Sequence, residues 1–125
     1  MRQVTIAHAH CDLFCGVYDP AQAKIEAMSV LKAAQKYQAS TDEVFRIRAI
    51  QIKEERAELV KHHLMVLWVD FFTEEHRKEF ENLDDLFWRA IHQAGDAKKS
   101  VDPADGQKLV DLIDEIAEIF WKTEK

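Results

Sequence analysis

The sequence predicts an all-α protein, an antiparallel up-down four-helix bundle preceded by a short N-terminal segment without helical periodicity. Composition is the first observation: only three glycines and two prolines occur among 125 residues, 47% of which are hydrophobic and 32% charged. The second is that apolar residues recur three and four positions apart over long stretches, with no alternating β-branched runs. A chain of this length suits one domain with a real core, and four helices joined in sequence bury such faces.

The first two helices begin with recognisable capping residues. Asp19-Pro20 predicts the start of helix one, because aspartate accepts hydrogen bonds from free amides and proline is tolerated at the first helical position. Helix one is expected to run to about Gln38. Residues 40–43, Ser-Thr-Asp-Glu, have the form of a capping box and predict the start of helix two, which should reach about Asp70. Its predicted apolar stripe consists of Phe45, Ala49, Ile52, Leu59 and Val66.

Helices three and four follow with clear apolar stripes. The stripe of helix three contains Phe80, Leu83, Phe87, Ala90 and Ala94. Gly95 is predicted to end helix three, while its start stays open because Thr73-Glu74-Glu75 is itself a good initiation sequence. Asp102-Pro103 repeats the opening of helix one and predicts the start of helix four. The stripe of helix four contains Leu109, Leu112, Ile113, Ile116, Ile119 and Phe120.

Two charged residues interrupt these apolar faces. Arg56 falls four residues after Ile52 on helix two, and Glu26 has apolar neighbours on its face of helix one. A charge on a buried face needs a partner, so Glu26 and Arg56 are predicted to form an ion pair. From the residues alone, an ordinary ion pair at a bundle end remains the alternative to a functional one.

Charge and hydropathy exclude two classes of partner. The net charge of −6 offers no lysine and arginine footprint for nucleic acid. No apolar run approaches the roughly 18 residues that span a bilayer, and the first nine residues lack the apolar stretch of a secretory signal. The sequence therefore predicts a cytoplasmic protein that binds neither nucleic acid nor membrane. The small residues Ala7 and Ala9 around His8 suit a maturation peptidase cleaving after Ala9, which would make residues 1–9 a pro-segment.

The only two cysteines, Cys11 and Cys15, lie close together beside His10. A disulfide between them would close a very small loop, so metal or redox chemistry is the better interpretation. Structural zinc takes four side-chain ligands, and only three are close here. If His10 were the first residue, its amine, the Cys11 amide nitrogen and the Cys11 thiolate would form fused planar chelate rings, with Cys15 closing the square and the imidazole axial. Square-planar nitrogen and sulfur donors favour nickel(II) or copper(II), and this arrangement requires cleavage after Ala9.

Residues 10–18, His-Cys-Asp-Leu-Phe-Cys-Gly-Val-Tyr, closely resemble the nickel-hook motif of nickel-dependent superoxide dismutases, His-Cys-Asp-Leu-Pro-Cys-Gly-Val-Tyr. The likeness continues to the C-terminus and is weakest over residues 73–101. Its other matching stretches are 19–23, 52–59, 61–64, 67–68, 102–108 and 119–123. The resemblance implies a precursor with a pro-segment at 1–9 and a mature domain at 10–125, in which 10–18 form the hook and 19–122 the bundle. It also implies a homohexamer with one nickel ion per subunit.

The resemblance assigns the metal ligands residue by residue. His10 would provide its freed amine and, in the oxidised state, its imidazole. Cys11 would provide a deprotonated backbone amide and a thiolate, and Cys15 the second thiolate. The implied activity converts two superoxide anions and two protons to dioxygen and hydrogen peroxide by Ni(II)/Ni(III) cycling. A non-catalytic nickel-binding or trafficking protein that shares the hook is the alternative.

Other residues match the surroundings of the family's metal site. Glu26 and Arg56 match the residues that orient the His10 imidazole, a supporting role common around metal ligands. Asp12 and Tyr18 match residues lining the pocket in which superoxide and ordered water lie, and are counted with the catalytic residues.

Two positions depart from the family pattern. Phe14 replaces the hook proline, where a cis bond before a non-proline residue would cost about 2.5–4 kcal/mol. Phe71 replaces a frequent tyrosine, so a hydroxyl contact to the pocket is expected to be missing. Neither position is a metal ligand.

Overall fold

Four long α-helices pack in a ring over residues 16–123, the part of the chain that the computed structural model describes. The elements are α1 (Ala21–Ala39), α2 (Glu43–Val66), a π-helical turn (Leu67–Phe71), α3 (Glu74–Glu79), α4 (Leu83–Lys99) and α5 (Pro103–Thr123). The helices α1, α2, α4 and α5 form the ring, in which α1 packs on α2 and α5 while α4 packs on the same two helices. The predicted all-α four-helix bundle is confirmed, whereas the pro-segment and residues 10–15 of the hook lie outside the described residues.

Both Asp-Pro pairs open a helix, the second at Pro103 as predicted and the first one residue later than predicted, at Ala21. Asp19 Oδ1 accepts a hydrogen bond from the Ala21 amide at 2.8 Å, and Asp102 Oδ1 accepts one from Ala104 at 2.9 Å. Each carboxylate thereby satisfies an amide that the first helical turn leaves free.

The predicted capping box at residues 40–43 is wrong. Asp42, not Ser40, is the N-cap of α2, and its carboxylate accepts from the Phe45 amide at 2.9 Å. The Ser40 hydroxyl instead accepts from the Asp42 amide at 3.0 Å, just before the helix begins. The Asp42 carboxylate is a stronger hydrogen-bond acceptor than the Ser40 hydroxyl, so Asp42 becomes the N-cap. Ser40 stabilises the backbone that precedes the helix.

The apolar stripe predicted for helix two is only partly correct. Ala49 and Val66 are buried and Leu59 is half-buried, but Phe45 and Ile52 are 40% and 47% exposed. The face that points into the bundle consists instead of Ala49, Lys53, Ala57, Val60, Leu64 and Leu67. Small alanines let α2 lie close to its neighbours, and their low hydrophobicity hides the true inner face from a pattern of large side chains.

The stretch predicted as helix three is two helices. Thr73 caps the short α3, because its hydroxyl accepts from the His76 amide at 3.2 Å while His76 Nδ1 accepts from the Thr73 amide at 3.1 Å. Phe80 ends α3 rather than lying within a longer helix, and α4 begins at Leu83. Both α3 and the initiation sequence at Thr73 therefore belong to the connection between α2 and α4.

Gly95 does not end a helix, since α4 continues through it to Lys99. The last carbonyls of α4 are satisfied from another helix: the Lys53 ammonium donates to Ala97 O at 3.0 Å and also to Lys98 O. Lys53 is only 2% exposed. Its contacts with these carbonyls place its charge beside the negative end of the α4 dipole. This cross-helix cap lets α4 run past the glycine.

The core is continuous through all four long helices. Its largest fully buried side chains are Phe87, Phe120, Leu64, Leu83, Leu86, Leu109, Ile113 and Ile116. Gly106 brings α5 against α1, because a Cβ added there would lie 2.8 Å from Leu31 Cα. Among the described residues no helix is both long and apolar enough to cross a membrane.

Candidate metal centre

The ligands predicted from the sequence lie outside the described residues. This holds for His10, Cys11 and Cys15, and also for Asp12. Over residues 16–123, no group of three or more His, Cys, Asp or Glu side chains is placed to hold a metal ion. Both cysteines of the chain belong to the N-terminal segment, and their thiolates with an imidazole are donors that suit nickel. The roles of Tyr18, Glu26 and Arg56 around such a centre remain predictions.

Gly16 directs the chain as it leaves Cys15. Its φ of +74° is in the left-handed region, which glycine adopts at little cost. A side chain there would meet no atom of residues 16–123 within 4 Å, so among these residues only the backbone conformation, and not packing, favours glycine. The positive φ of Gly16 therefore sets the direction in which the chain continues to Tyr18 and α1.

Tyr18 lies on the aromatic end of the bundle. Its half-buried ring contacts Phe71, with centroids 5.7 Å apart and planes inclined by 54°. Phe71 in turn lies 4.4 Å from the Phe120 ring and 5.8 Å from the His76 ring, which is stacked on it. The predicted pocket residue and the position that departs from the family pattern are thus direct neighbours.

The π-helical turn explains how Phe71 reaches this position. The Phe72 amide donates to Leu67 O at 2.9 Å, a five-residue span that adds one residue to the turn. Phe71 and Phe72 are thereby both turned toward Phe120 on α5, at 4.4 and 6.4 Å between centroids. The π-helical turn was not predicted from the sequence; the available signal was a cluster of leucine and aromatic residues within 67–72 that no single helical stripe buries.

The predicted ion pair between α1 and α2 is confirmed. Arg56 Nη1 lies 3.2 Å from Glu26 Oε1 and 3.4 Å from Oε2. The Glu26 side chain is 17% exposed and the Arg56 side chain 37%. Arg56 Nη2 also lies 3.4 Å from Glu55, so one guanidinium joins an inner and an outer carboxylate. The role of this pair toward His10 remains a prediction.

His63 adds a titratable group on the same helix, two turns after Arg56. Burial lowers its pKa, the neighbouring His62 lowers it further, and Glu26 opposes both. The two histidine rings contact each other edge to face, with centroids 5.2 Å apart. The lowered pKa therefore favours the neutral imidazole of His63, and the carboxylate that Arg56 holds acts against this.

Comparison with known proteins gives one consistent family. The family described as nickel-containing superoxide dismutase matches residues 5–124. The enzyme of Streptomyces seoulensis named superoxide dismutase [Ni] is 54% identical over 117 residues, 94% of this chain and 89% of its own length. The enzyme of the same name from Streptomyces coelicolor is 50% identical over 123 residues, 98% of this chain and 93% of its own.

A solved structure shares the fold as well as the sequence. A native nickel superoxide dismutase structure superimposes with a TM-score of 0.91 at 50% identity, covering 93% of this chain and all of that one. The match therefore extends over nearly the whole chain. The chain belongs to the family of nickel-containing superoxide dismutases.

Proposed function

We propose that this chain is a nickel superoxide dismutase, which converts two superoxide anions and two protons to dioxygen and hydrogen peroxide. The observation that carries the proposal is the family match over residues 5–124, which includes the whole hook sequence. The ion pair between Glu26 and Arg56 supports it independently, because it holds a carboxylate in a partly buried position that a plain helical bundle does not require.

The residues fit nickel by their chemistry. His10 would hold it through its freed amine and imidazole, Cys11 through its amide nitrogen and thiolate, and Cys15 through its thiolate. When bound, nickel supplies one-electron chemistry by cycling between Ni(II) and Ni(III), which oxidises one superoxide and reduces the next. The chain must therefore hold the ligands in place, admit a small anion and exclude larger molecules.

Glu26 and Arg56 orient the His10 imidazole in this proposal. Because one Arg56 nitrogen approaches both carboxylate oxygens, the carboxylate has one preferred direction. A carboxylate fixed in this way accepts an imidazole N–H and selects which ring nitrogen remains available as a ligand.

Tyr18 and Asp12 form the walls of the substrate pocket. The Tyr18 ring is supported by Phe71, which itself packs on the core residue Phe120, so the phenol is held in place. A rigid aromatic wall limits entry to small molecules. The net charge of −6 gives superoxide no long-range attraction, so local cations must guide it.

Maturation and location complete the proposal. A peptidase cleaves after Ala9, and the domain from residue 10 onward is the active form, because only then does His10 have a free amine. The protein acts in the cytoplasm. It assembles as a homohexamer, which is supported by the large apolar side chains that the described monomer leaves in water, among them Trp88 at 61% and Trp121 at 51% exposure.

The test compares the chain trimmed to begin at His10 with the untrimmed chain, each reconstituted with nickel. Superoxide turnover is measured by stopped-flow, and metal content by mass spectrometry. Turnover only in the trimmed sample is the expected result, with trimmed Cys15→Ser as the control that lacks a ligand. Stoichiometric nickel without turnover would instead favour the non-catalytic nickel-binding protein. Equal turnover in both samples would contradict the role of the free amine.

A further inference from the structure

His76 on α3 lies against the aromatic end of the bundle, outside the residues that the proposed function uses. Its imidazole stacks on Phe71, with ring centroids 5.8 Å apart and planes inclined by 22°. The same ring meets Phe72 edge to face, with centroids 5.7 Å apart. The half-buried imidazole therefore covers both residues that the π-helical turn directs toward Phe120.

The orientation of the His76 ring is set by Thr73. His76 Nδ1 accepts from the Thr73 amide at 3.1 Å, and the Thr73 hydroxyl accepts from the His76 amide at 3.2 Å. A backbone amide is always a donor, so Nδ1 presents its lone pair to Thr73 and carries no proton. In the usual form of this capping box the residue at position 76 is glutamate or glutamine, which would satisfy the amide without supplying a ring. The imidazole therefore combines a helix cap with an aromatic contact.

The contact between His76 and Phe71 leads directly to Tyr18. The Phe71 ring lies 5.7 Å from the Tyr18 ring and 4.4 Å from the Phe120 ring. Phe120 is fully buried in the core, so Phe71 is held from α5 by Phe120 and from α3 by His76. Because packed side chains hold one another in place, removing the imidazole would open space into which Phe71 can move. A displaced Phe71 would change the support of the Tyr18 ring.

We propose that His76 is a positioning residue for the substrate pocket, because its hydrogen-bonded ring holds Phe71 against Tyr18. The inference rests on the proposed function, in which Tyr18 forms a wall of that pocket. His76 acts through Phe71 and does not itself touch the substrate. The competing explanation is that His76 serves only as the cap of α3. The two explanations differ in which part of the side chain is needed, the ring or the hydrogen-bond acceptor.

Two substitutions in the trimmed, nickel-loaded enzyme separate the ring from the acceptor. His76→Gln removes the ring but keeps an oxygen that accepts from the Thr73 amide. His76→Phe keeps an aromatic ring but has no acceptor. We expect His76→Gln to unfold at the wild-type urea concentration and to lower superoxide turnover by about threefold or more, since small displacements at a reaction site are amplified in the rate. His76→Phe should unfold at a lower urea concentration, yet keep turnover closer to that of the wild type.

The position of Tyr18 is also measurable without any assay of activity. The chain has two tyrosines, Tyr18 and Tyr37, so labelling with meta-fluorotyrosine gives two fluorine NMR resonances, which Tyr37→Phe assigns. His76→Gln should shift the Tyr18 resonance by more than its line width, and His76→Phe should shift it less. The Tyr37 resonance is the internal control, because that ring lies against Arg46, 4.3 Å from the guanidinium carbon, and should stay in place.

His92→Gln is the matched control, because His92 also stacks on an aromatic ring, that of Trp88, with centroids 3.8 Å apart. It should leave the Tyr18 resonance and the turnover unchanged. An unchanged Tyr18 resonance in His76→Gln overturns the inference, and so does a turnover that falls more in His76→Phe than in His76→Gln. A wild type without turnover contradicts the proposed function instead, and the fluorine resonances still decide whether His76 positions Tyr18.

Discussion

Arg56 on α2 holds the Glu26 carboxylate of α1 with a single nitrogen, Nη1, at 3.2 and 3.4 Å from its two oxygens. Glu26 lies in the second turn of α1, a few residues after Tyr18, so the pair sits close in sequence to the segment that carries the proposed ligands. The guanidinium is partly open to water, which moderates the strength of the pair. The ion pair therefore contributes more to the orientation of the Glu26 carboxylate than to the stability of the fold.

Arg56→Met is expected to lower activity much more than stability. Losing one partner of a half-buried pair should cost about 1–2 kcal/mol of unfolding free energy, below the 3–5 kcal/mol of a fully buried pair. Dismutase turnover of the trimmed, nickel-loaded enzyme should fall by about tenfold or more, since the carboxylate loses its orientation. Arg77→Met is the matched control, because Arg77 pairs with Asp84 at 2.9 Å on the exposed surface. Equal turnover in both variants would refute the orienting role.

Phe71→Tyr is expected to be tolerated by the fold and to raise turnover. Phe71 is half-buried, so a hydroxyl can reach water or the Tyr18 side of the pocket. One added hydrogen bond is worth about 0.5–1.5 kcal/mol, which corresponds to at most about a tenfold gain in rate. The measurement is stopped-flow turnover alongside chemical unfolding.

Phe72→Tyr is the control for that substitution. Phe72 is only 7% exposed, so its hydroxyl would be buried without a partner and should cost about 1–3 kcal/mol without a gain in rate. If Phe71→Tyr destabilised the protein as much as Phe72→Tyr, the Phe71 ring could not be half-exposed as described.

Local signals in the sequence were sufficient at the two Asp-Pro helix starts, but not at the capping box predicted for residues 40–43. Asp19 and Asp102 cap amides two residues away, so both helix starts were predictable. The pairing of Glu26 with Arg56 was also predictable, because two opposite charges on apolar faces have few alternatives. The hook could be assigned to its family from its residue order alone.

Predictions failed where a distant element decides the outcome. Gly95 lies inside α4 because Lys53, 44 residues away from Ala97, caps the helix end. The inner face of α2 includes that same lysine, which no pattern of apolar residues selects. Phe45 and Ile52 are exposed, so a periodic run of large apolar side chains does not by itself distinguish the buried face of a helix from an exposed one.

The stability of the protein should fall as the pH drops below about 6.5, and His63 should account for part of this loss. Its folded pKa is lowered, mainly by burial, so the unfolded chain binds the proton first. The stabilisation is fully present above the unfolded pKa and is lost as the pH falls through the folded pKa. His63→Gln should therefore show a shallower decline in unfolding free energy between pH 7 and 5. At pH 8 to 9 the two proteins should differ by a constant offset, and equal slopes at low pH would contradict the assignment.

Gly106→Ala and Gly95→Ala should change stability in opposite directions, although both glycines lie in helices. A Cβ at residue 106 would lie 2.8 Å from Leu31 Cα, so α1 and α5 must separate, which should cost about 1–3 kcal/mol. A Cβ at residue 95 would meet only the flexible end of Lys61, at 3.7 Å. That substitution should stabilise the protein by about 0.4–1 kcal/mol through the lower entropy of the unfolded chain. Urea unfolding of the two variants distinguishes a backbone contact from open space.

Lys53→Met should loosen the end of α4 before it affects the rest of the bundle. The variant keeps the buried aliphatic chain but loses the donors to Ala97 and Lys98, leaving carbonyls near the core without partners, at a cost of about 1–3 kcal/mol. Amide hydrogen exchange at residues 97–101 should accelerate while exchange in α5 stays slow.

The pH dependence of the unfolding free energy distinguishes the role of the Lys53 ammonium group from the packing of its aliphatic chain. Burial lowers the pKa of Lys53 from 10.5, so the wild type should gain stability as the pH rises between the folded value and 10.5, and the variant should not. Lys98→Met is the matched control, because Lys98 pairs with Glu58 at 2.8 Å on the surface and removing it should cost much less stability than removing Lys53. If Lys53→Met and Lys98→Met were equally mild, and exchange at the end of α4 were unchanged, the cross-helix cap would not explain why α4 continues past Gly95.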